Sequence, residues 1–290
     1  MKHTLFKNPP ADYYGKPFWA WNGELEDEEL RRQIAAFSDM GMGGYFCHSR
    51  TGLETDYLGE EWFDKIRLCA EEGAAKGMET WLYDEDRWPS GTCGGQVCEN
   101  PAYRLHYLRL EILPAADWQA ETLSTAIAAF SADVYGEDGL SFSGKQRLHA
   151  GDTPAGSHVL LFTAEEMAKD SFYNDYTYVD TMNPDAVQEY IHQTHEAYKS
   201  HVGAHFGGSI RGIFTDEPHR GAIMCGFSVA NRDPYFLTPF PRDLFELFAA
   251  KYGHDLQELL PELFLKENGC LVHPVKWEYM ELLQELFLDN

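Results

Sequence analysis

Four stretches of this chain share one design, a short apolar run that breaks at its C-terminal end into polar, hydrogen-bonding residues. They are Pro17-Phe18-Trp19-Ala20-Trp21-Asn22-Gly23, Gly44-Tyr45-Phe46-Cys47-His48-Ser49-Arg50, Thr80-Trp81-Leu82-Tyr83-Asp84-Glu85-Asp86 and Arg211-Gly212-Ile213-Phe214-Thr215-Asp216-Glu217-Pro218-His219. Continuous apolar runs of this length read as strands covered on both faces. Helical patterns separate the first three. Glu26, Asp27, Glu28 and Glu29 put acids in a first turn, where the helix macrodipole favours them, and Leu30, Ile34 and Phe37 follow at helical spacing. A second helix over residues 60–76 carries Trp62, Phe63, Ile66, Cys69 and Ala70 on one face and stops at Gly77. Strand, helix, strand, helix, strand at this rhythm predicts parallel strands whose polar ends gather on one rim.

The rhythm then breaks. Residues 103–166 alternate in a β-like way, as in Leu105-His106-Tyr107-Leu108-Arg109-Leu110, with turn residues between the runs. They read as a β-rich insertion. Strand-helix alternation resumes with a fourth strand at Tyr176-Thr177-Tyr178-Val179-Asp180 and a helix after Asn183-Pro184. The stretch ending in Asp216-Glu217-Pro218 makes a fifth strand, and helices are predicted over residues 242–252 and 276–288. The expected fold is α/β, a (β/α)8 TIM-barrel type with about five strands present. Its expected parts are residues 1–102 as the first βα units, 103–166 as the insertion, and 167–290 as continuing barrel units, truncated at the C-terminus. On this reading the missing C-terminal part of the same polypeptide is itself a partner.

Charge narrows the ligand. The 290 residues carry 47 acids against 23 Lys and Arg, a formal charge of -24. Nucleic acid and anionic membrane surfaces both require a basic footprint, so neither fits. A neutral ligand such as a carbohydrate, or a cation, fits better. The first residues lack the apolar core of a signal peptide, which favours a cytoplasmic protein, and the six cysteines, Cys225 among them, read as thiols rather than as a disulfide framework.

Candidate site residues lie at the strand ends. Glu217 is the expected general acid, because a carboxyl at an apolar barrel mouth is held protonated more easily than one in water. Asp216 beside it, with Asp84 and Asp86, shapes and charges the site, and Glu85 stands between those two. Such a run of acids also suits a hard cation such as calcium. His48 and Arg50 are placed to orient hydroxyls or a carboxylate. Trp21, Asn22 and Trp88 offer flat apolar faces and an amide to a pyranose ring. His192, His195, His201 and His205 have helical spacings without the glutamate of a zinc motif, and read as solvated helix faces.

Taken together, Phe18-Trp19-Ala20-Trp21-Asn22-Gly23, His48-Ser49-Arg50-Thr51-Gly52-Leu53-Glu54-Thr55, Trp81-Leu82-Tyr83-Asp84-Glu85-Asp86-Arg87-Trp88-Pro89-Ser90-Gly91 and Phe214-Thr215-Asp216-Glu217-Pro218 resemble the catalytic barrel of the α-L-rhamnosidases of glycoside hydrolase family 106 and of related proteins often labelled as family 2. The resemblance spans nearly the whole chain outside the insertion. It implies a (β/α)8 catalytic domain, a calcium ion near the site, and inverting, exo-acting hydrolysis of plant or microbial glycans by two carboxylates, with Glu217 at the catalytic-acid position. Family members are longer, and the general base is expected on a later strand, beyond Asn290. Two rival readings stand beside this one. The first is a non-catalytic carbohydrate-binding barrel, or an inactive fragment of an enzyme. The second is a metal-dependent hydrolase using His48 with Asp84 and Asp86.

Overall fold

The computed structural model describes residues 3–7, 9–137, 140–221, 235–270 and 273–290. In chain order it begins with α1 (His3–Lys7), β1 (Phe18–Gly23), α2 (Asp27–Asp39), β2 (Gly44–Leu53), α3 (Glu60–Ala75) and β3 (Glu79–Tyr83). Four longer strands follow, β4 (His106–Pro114), β5 (Ala128–Tyr135), β6 (Ser141–Arg147) and β7 (His158–Glu166). Next come α4 (Pro184–Ile191), a π-helical turn (His192–Glu196), α5 (Ala197–Val202) and β8 (Ile210–Phe214). The last elements are β9 (Tyr235–Pro239), α6 (Leu244–Tyr252), α7 (Leu260–Phe264), β10 (Lys266–Glu267) and α8 (Pro274–Leu288).

The chain divides into two units, each with its own sheet. The first comprises Met1–Glu99, Asp170–Tyr176 and Asp185–His219. Its sheet is a curled half-barrel of four strands in the order β1-β2-β3-β8, every neighbouring pair parallel. Helices α2 and α3 pack on one face through the residues their spacing singles out. Leu30 and Ile34 of α2 are buried, as are Trp62, Phe63, Ile66, Cys69, Ala70 and Gly73 of α3. Gly73 is required by a close approach, since a Cβ there would lie 2.5 Å from the Tyr45 hydroxyl oxygen. That hydroxyl donates to the Cys69 carbonyl at 2.7 Å.

Strand alternation decides which β1 residues reach the helices. Trp19 and Trp21 do, and Phe18, Ala20 and Asn22 turn to the opposite face. On that face Phe18 stacks on Phe46 at 5.0 Å and meets Phe214 edge-on at 4.9 Å, while Phe46 lies 5.4 Å from Trp81. Gly212 makes room for the Trp81 ring, from which a Cβ would be 2.5 Å away. These rings floor the rim on which the polar strand ends stand.

The second unit comprises Asn100–Lys169, Thr177–Pro184 and Arg220–Asn290. Its sheet runs β10-β6-β5-β7-β4-β9, antiparallel except where β10 joins β6. Residues from α6, α7 and α8, including Phe248, Leu263, Tyr279 and Leu283, share one core with Leu108, Leu110, Phe130 and Phe162 of the sheet.

Two sequence expectations are corrected here. Residues 176–180 form no strand of the parallel sheet. Residues 178–180 run instead against 103–105, the Leu105 N–H donating to the Tyr178 carbonyl at 3.0 Å and the Asp180 N–H to the Tyr103 carbonyl at 2.8 Å. Among the described residues the parallel sheet thus has four strands rather than five, and the architecture is mixed α/β with two sheets, one of them a curled half-barrel. Residues 235–270 and 273–290, expected among the continuing barrel units, supply β9, β10 and the helices that share a core with the second sheet. Cys47, Cys69, Cys93 and Cys98 are buried thiols, and Cys225 lies outside the described residues. No helix among the described residues is long and apolar enough to cross a membrane.

Candidate active site

The loop after β3 is organised by a buried carboxylate. Glu85 is fully shielded from solvent, and five backbone N–H groups point at it. Those of Gly91, Thr92 and Cys93 donate to Oε2 at 3.0, 2.7 and 2.9 Å, and those of Asp86 and Gly94 to Oε1 at 2.9 and 2.5 Å. The chain turns tightly enough to do this by placing Gly94, Gly95 and Cys93 in the left-handed region, at φ of 64°, 95° and 53°. Burial pushes the Glu85 carboxyl up to about 7, against the pull of those donors. Glu85 therefore holds the loop and does not face a substrate.

Its neighbours are equally committed. Asp84 is shielded too. It accepts the Ser90 hydroxyl on Oδ1 and the Thr215 hydroxyl on Oδ2, both at 2.6 Å, and His195 Nε2 lies 3.4 Å from Oδ2. Asp86 takes the Ser49 hydroxyl on Oδ1 at 2.8 Å, with Asn174 Nδ2 and Arg87 Nε on Oδ2 at 3.0 and 3.2 Å. Asp84 ties β3 to β8, and Asp86 ties β3 to β2. Oxygens already held by protein donors do not form the calcium cage that the resemblance implies, which needs several oxygens directed at one point. Nor do His48, Asp84 and Asp86 form a metal-binding set. Among the described residues no group of three or more His, Cys, Asp and Glu is arranged to hold an ion.

The end of β8 is different. The Asp216 N–H donates to Ser90 Oγ and its carbonyl accepts the Ser90 N–H, each at 2.8 Å, which fixes the strand end against the loop. The Asp216 side chain receives the Tyr83 hydroxyl on Oδ2 at 3.2 Å and lies 3.9 Å from His48 Nε2. Desolvation raises its carboxyl above the ordinary aspartate value, and the charge of Glu217 pushes the same way. Glu217 sits at φ 46°, a left-handed conformation uncommon for a residue with a Cβ. Its side chain is exposed, and Oε2 accepts the Trp88 indole N–H at 2.9 Å. Asp216 Oδ1 and Glu217 Oε1 carry no hydrogen bond from the described residues.

His48 is buried beneath this pair. Its ring stacks on Tyr83 at 3.7 Å and meets the edge of Phe18 at 5.2 Å. Burial, then the charge of Arg50, push the imidazole down to about 4.

A cavity of about 390 Å³ opens beside the carboxylates, lined by Asn22, Arg50, Thr51, Arg87, Trp88 and Phe172. Trp88 joins the two, one edge on Glu217 and one face on the cavity. Asn22, Arg50 and Trp88 thus line an open cavity. Trp21 does not. It is 1% exposed and packs edge-to-face on Trp19 and Trp62 at 5.5 and 5.1 Å, so its place in the expected sugar site is corrected to the core.

Four positioning residues escaped the sequence reading, namely Ser49, Tyr83, Ser90 and Thr215. Tyr83 and Thr215 each carry a hydroxyl directly before an acid at a strand end, whereas Ser49 and Ser90 have no acid within two residues and reach theirs only through the fold. His195 was read as solvated, but the π-helical turn directs it at buried Asp84, and the Thr194 hydroxyl lies 3.0 Å from its Nδ1. Such turns concentrate at functional positions.

No family model matches the chain, and no curated protein sequence matches it either. Among solved structures it is similar to a rhamnosidase from Novosphingobium sp. PP1Y, with 14% sequence identity and a TM-score of 0.55 over 98% of this chain. The chain spans 44% of that protein's length. At this identity the likeness speaks for the fold, a mixed α/β arrangement shared with part of a rhamnosidase.

Proposed function

We propose that this protein is a glycoside hydrolase of rhamnosidase-like type, with Glu217 as the general acid. The observation that carries the reading is the end of β8. There two adjacent carboxylates each keep one oxygen without a hydrogen bond from the described residues, while every oxygen of Asp84, Glu85 and Asp86 is taken. An exposed carboxyl held by an indole N–H at the edge of an aromatic-walled cavity can reach a glycosidic oxygen. The left-handed backbone at Glu217 is a strain that persists where surrounding structure enforces it, as it does at many active sites. The structural likeness to a rhamnosidase supports the same reaction class.

In this reading Glu217 gives its proton to the departing oxygen as the bond to the anomeric carbon breaks. Water adds to that carbon and surrenders its own proton to a second carboxylate. Asp84, Glu85 and Asp86 position the rim rather than fill that second role. His48 stays neutral beneath Asp216, and Asn22, Arg50 and Trp88 hold the sugar.

A second reading has one specific observation in its favour. Desolvation raises the carboxyl of Asp216 above the ordinary aspartate value, which favours it over Glu217 as the proton donor. Phenol release from a panel of aryl glycosides tests the proposal, with calorimetry on the same sugars alongside. Turnover on any member supports a hydrolase. Saturable binding with no turnover across the panel favours the rival, a non-catalytic carbohydrate-binding protein.

A further inference from the structure

The chain carries -24 formal charges, yet the charged side chains lining the cavity beside the carboxylates are arginines. Among the described residues the charged groups lining it are Arg50 and Arg87, with no Asp or Glu beside them in the lining. The two guanidinium groups differ. That of Arg87 is held by Asp86, with Nε and an outer nitrogen each 3.2 Å from Oδ2. That of Arg50 makes no hydrogen bond or ion pair with the described residues, although its charge reaches both Asp216 and His48.

A solvated arginine on an open surface needs no explanation. Arg50 is placed otherwise. It lies within β2, where pairing of Trp21 with Ser49 and of Gly23 with Leu53 fixes the backbone on either side. It opens on a cavity that two aromatic rings also line. Trp88 is 41% exposed and Phe172 39%, their rings 5.7 Å apart and nearly perpendicular. An exposed ring of this kind suits the apolar face of a pyranose. Asn22 and Thr51 add an amide and a hydroxyl of the kind that read sugar hydroxyls.

A guanidinium presents a planar fork of donors that matches a carboxylate with two parallel hydrogen bonds. A neutral sugar leaves that fork without its match. We propose that the cavity takes a sugar residue bearing a carboxylate, a uronic acid, with Arg50 on the carboxylate and Trp88 against the ring. The inference rests on the sugar-cleaving reading of the same site and places a uronic acid, rather than neutral rhamnose, as the sugar this cavity holds.

Titration calorimetry with D-galacturonate and D-glucuronate, against D-galactose and D-glucose, tests it at low and high salt. The acids are expected to bind about tenfold more tightly than their neutral counterparts, the difference a charge-assisted pair makes. The advantage shrinks as salt rises. In Arg50→Gln, whose unchanged melting temperature checks folding, the ratio of acid to neutral affinity falls towards one. Neutral sugars bound as tightly as acids overturn the inference and leave the sugar-cleaving reading standing. A preference for acids that survives in Arg50→Gln overturns the role of Arg50. Binding of none of the four sugars counts against both.

Discussion

His48 gives the sharpest physical consequence of the rim. Its ring is 4% exposed and stacked on Tyr83, and its Nδ1 is buried without a partner among the described residues. Two effects oppose each other there. The Asp216 carboxylate, 3.9 Å from Nε2, favours the imidazolium, whereas burial and the positive charge of Arg50 disfavour it. The second pair wins, moving the group from 6.5 to about 4. A histidine with a depressed value stabilises the folded chain above its unfolded value and loses that contribution as pH falls, because the unfolded chain takes up the proton first. Linkage with these two values gives a loss of about 2 kcal/mol by pH 5 and about 3 kcal/mol by pH 4. The slope approaches ~1.4 kcal/mol per pH unit. Urea unfolding followed by tryptophan fluorescence reads this unit, which holds Trp19, Trp21, Trp62, Trp81 and Trp88. Compared with His48→Gln, the wild-type chain is expected to lose stability more steeply from pH 6 to pH 4. An NMR titration of the ring protons gives the value directly, with a midpoint near 4. A midpoint near 6.5, or equal slopes in the two proteins, would refute the reasoning.

Other substitutions separate the site from its support. Trp88→Ala is expected to weaken sugar binding severalfold with little change in melting temperature, because the ring is 41% exposed. Trp21→Ala is expected to cost about 3–5 kcal/mol through the cavity it leaves in the core, and the reverse pattern would mean the two rings have been assigned the wrong way round. Gly212→Ala forces a Cβ to within 2.5 Å of the Trp81 ring and is expected to destabilise by about 1–3 kcal/mol in the same urea assay. A variant as stable as wild type would show that the ring moves aside freely.

Much of the rim was legible because strands announce themselves by apolar length, and their ends by the first polar residues. The parallel strands ending near Asn22, Arg50, Asp84 and Asp216 were read from that signal. The same signal misled at residues 176–180, because alternation reports burial and not which neighbour supplies the hydrogen bonds. Tyr178 and Val179 are buried as expected, but against 103–105. Trp21 was separable from Asn22 in principle, since adjacent strand residues face opposite ways and Trp19 already belonged to the core side. Among the three acids at 84–86, composition treats each alike. What distinguishes Glu85 is Gly91, Gly94 and Gly95 shortly after it, a loop able to turn five N–H groups inward.

The central claim is that Glu217 donates the proton to the leaving group. Its most direct test is Glu217→Gln assayed on aryl glycosides of graded leaving-group acidity, with Asp216→Asn in parallel. The expected result is a loss of about 10²–10⁴-fold for poor leaving groups, shrinking as the phenol becomes acidic enough to depart unassisted. Activity within a few-fold of wild type across the series, or the same graded loss in Asp216→Asn alone, would contradict it.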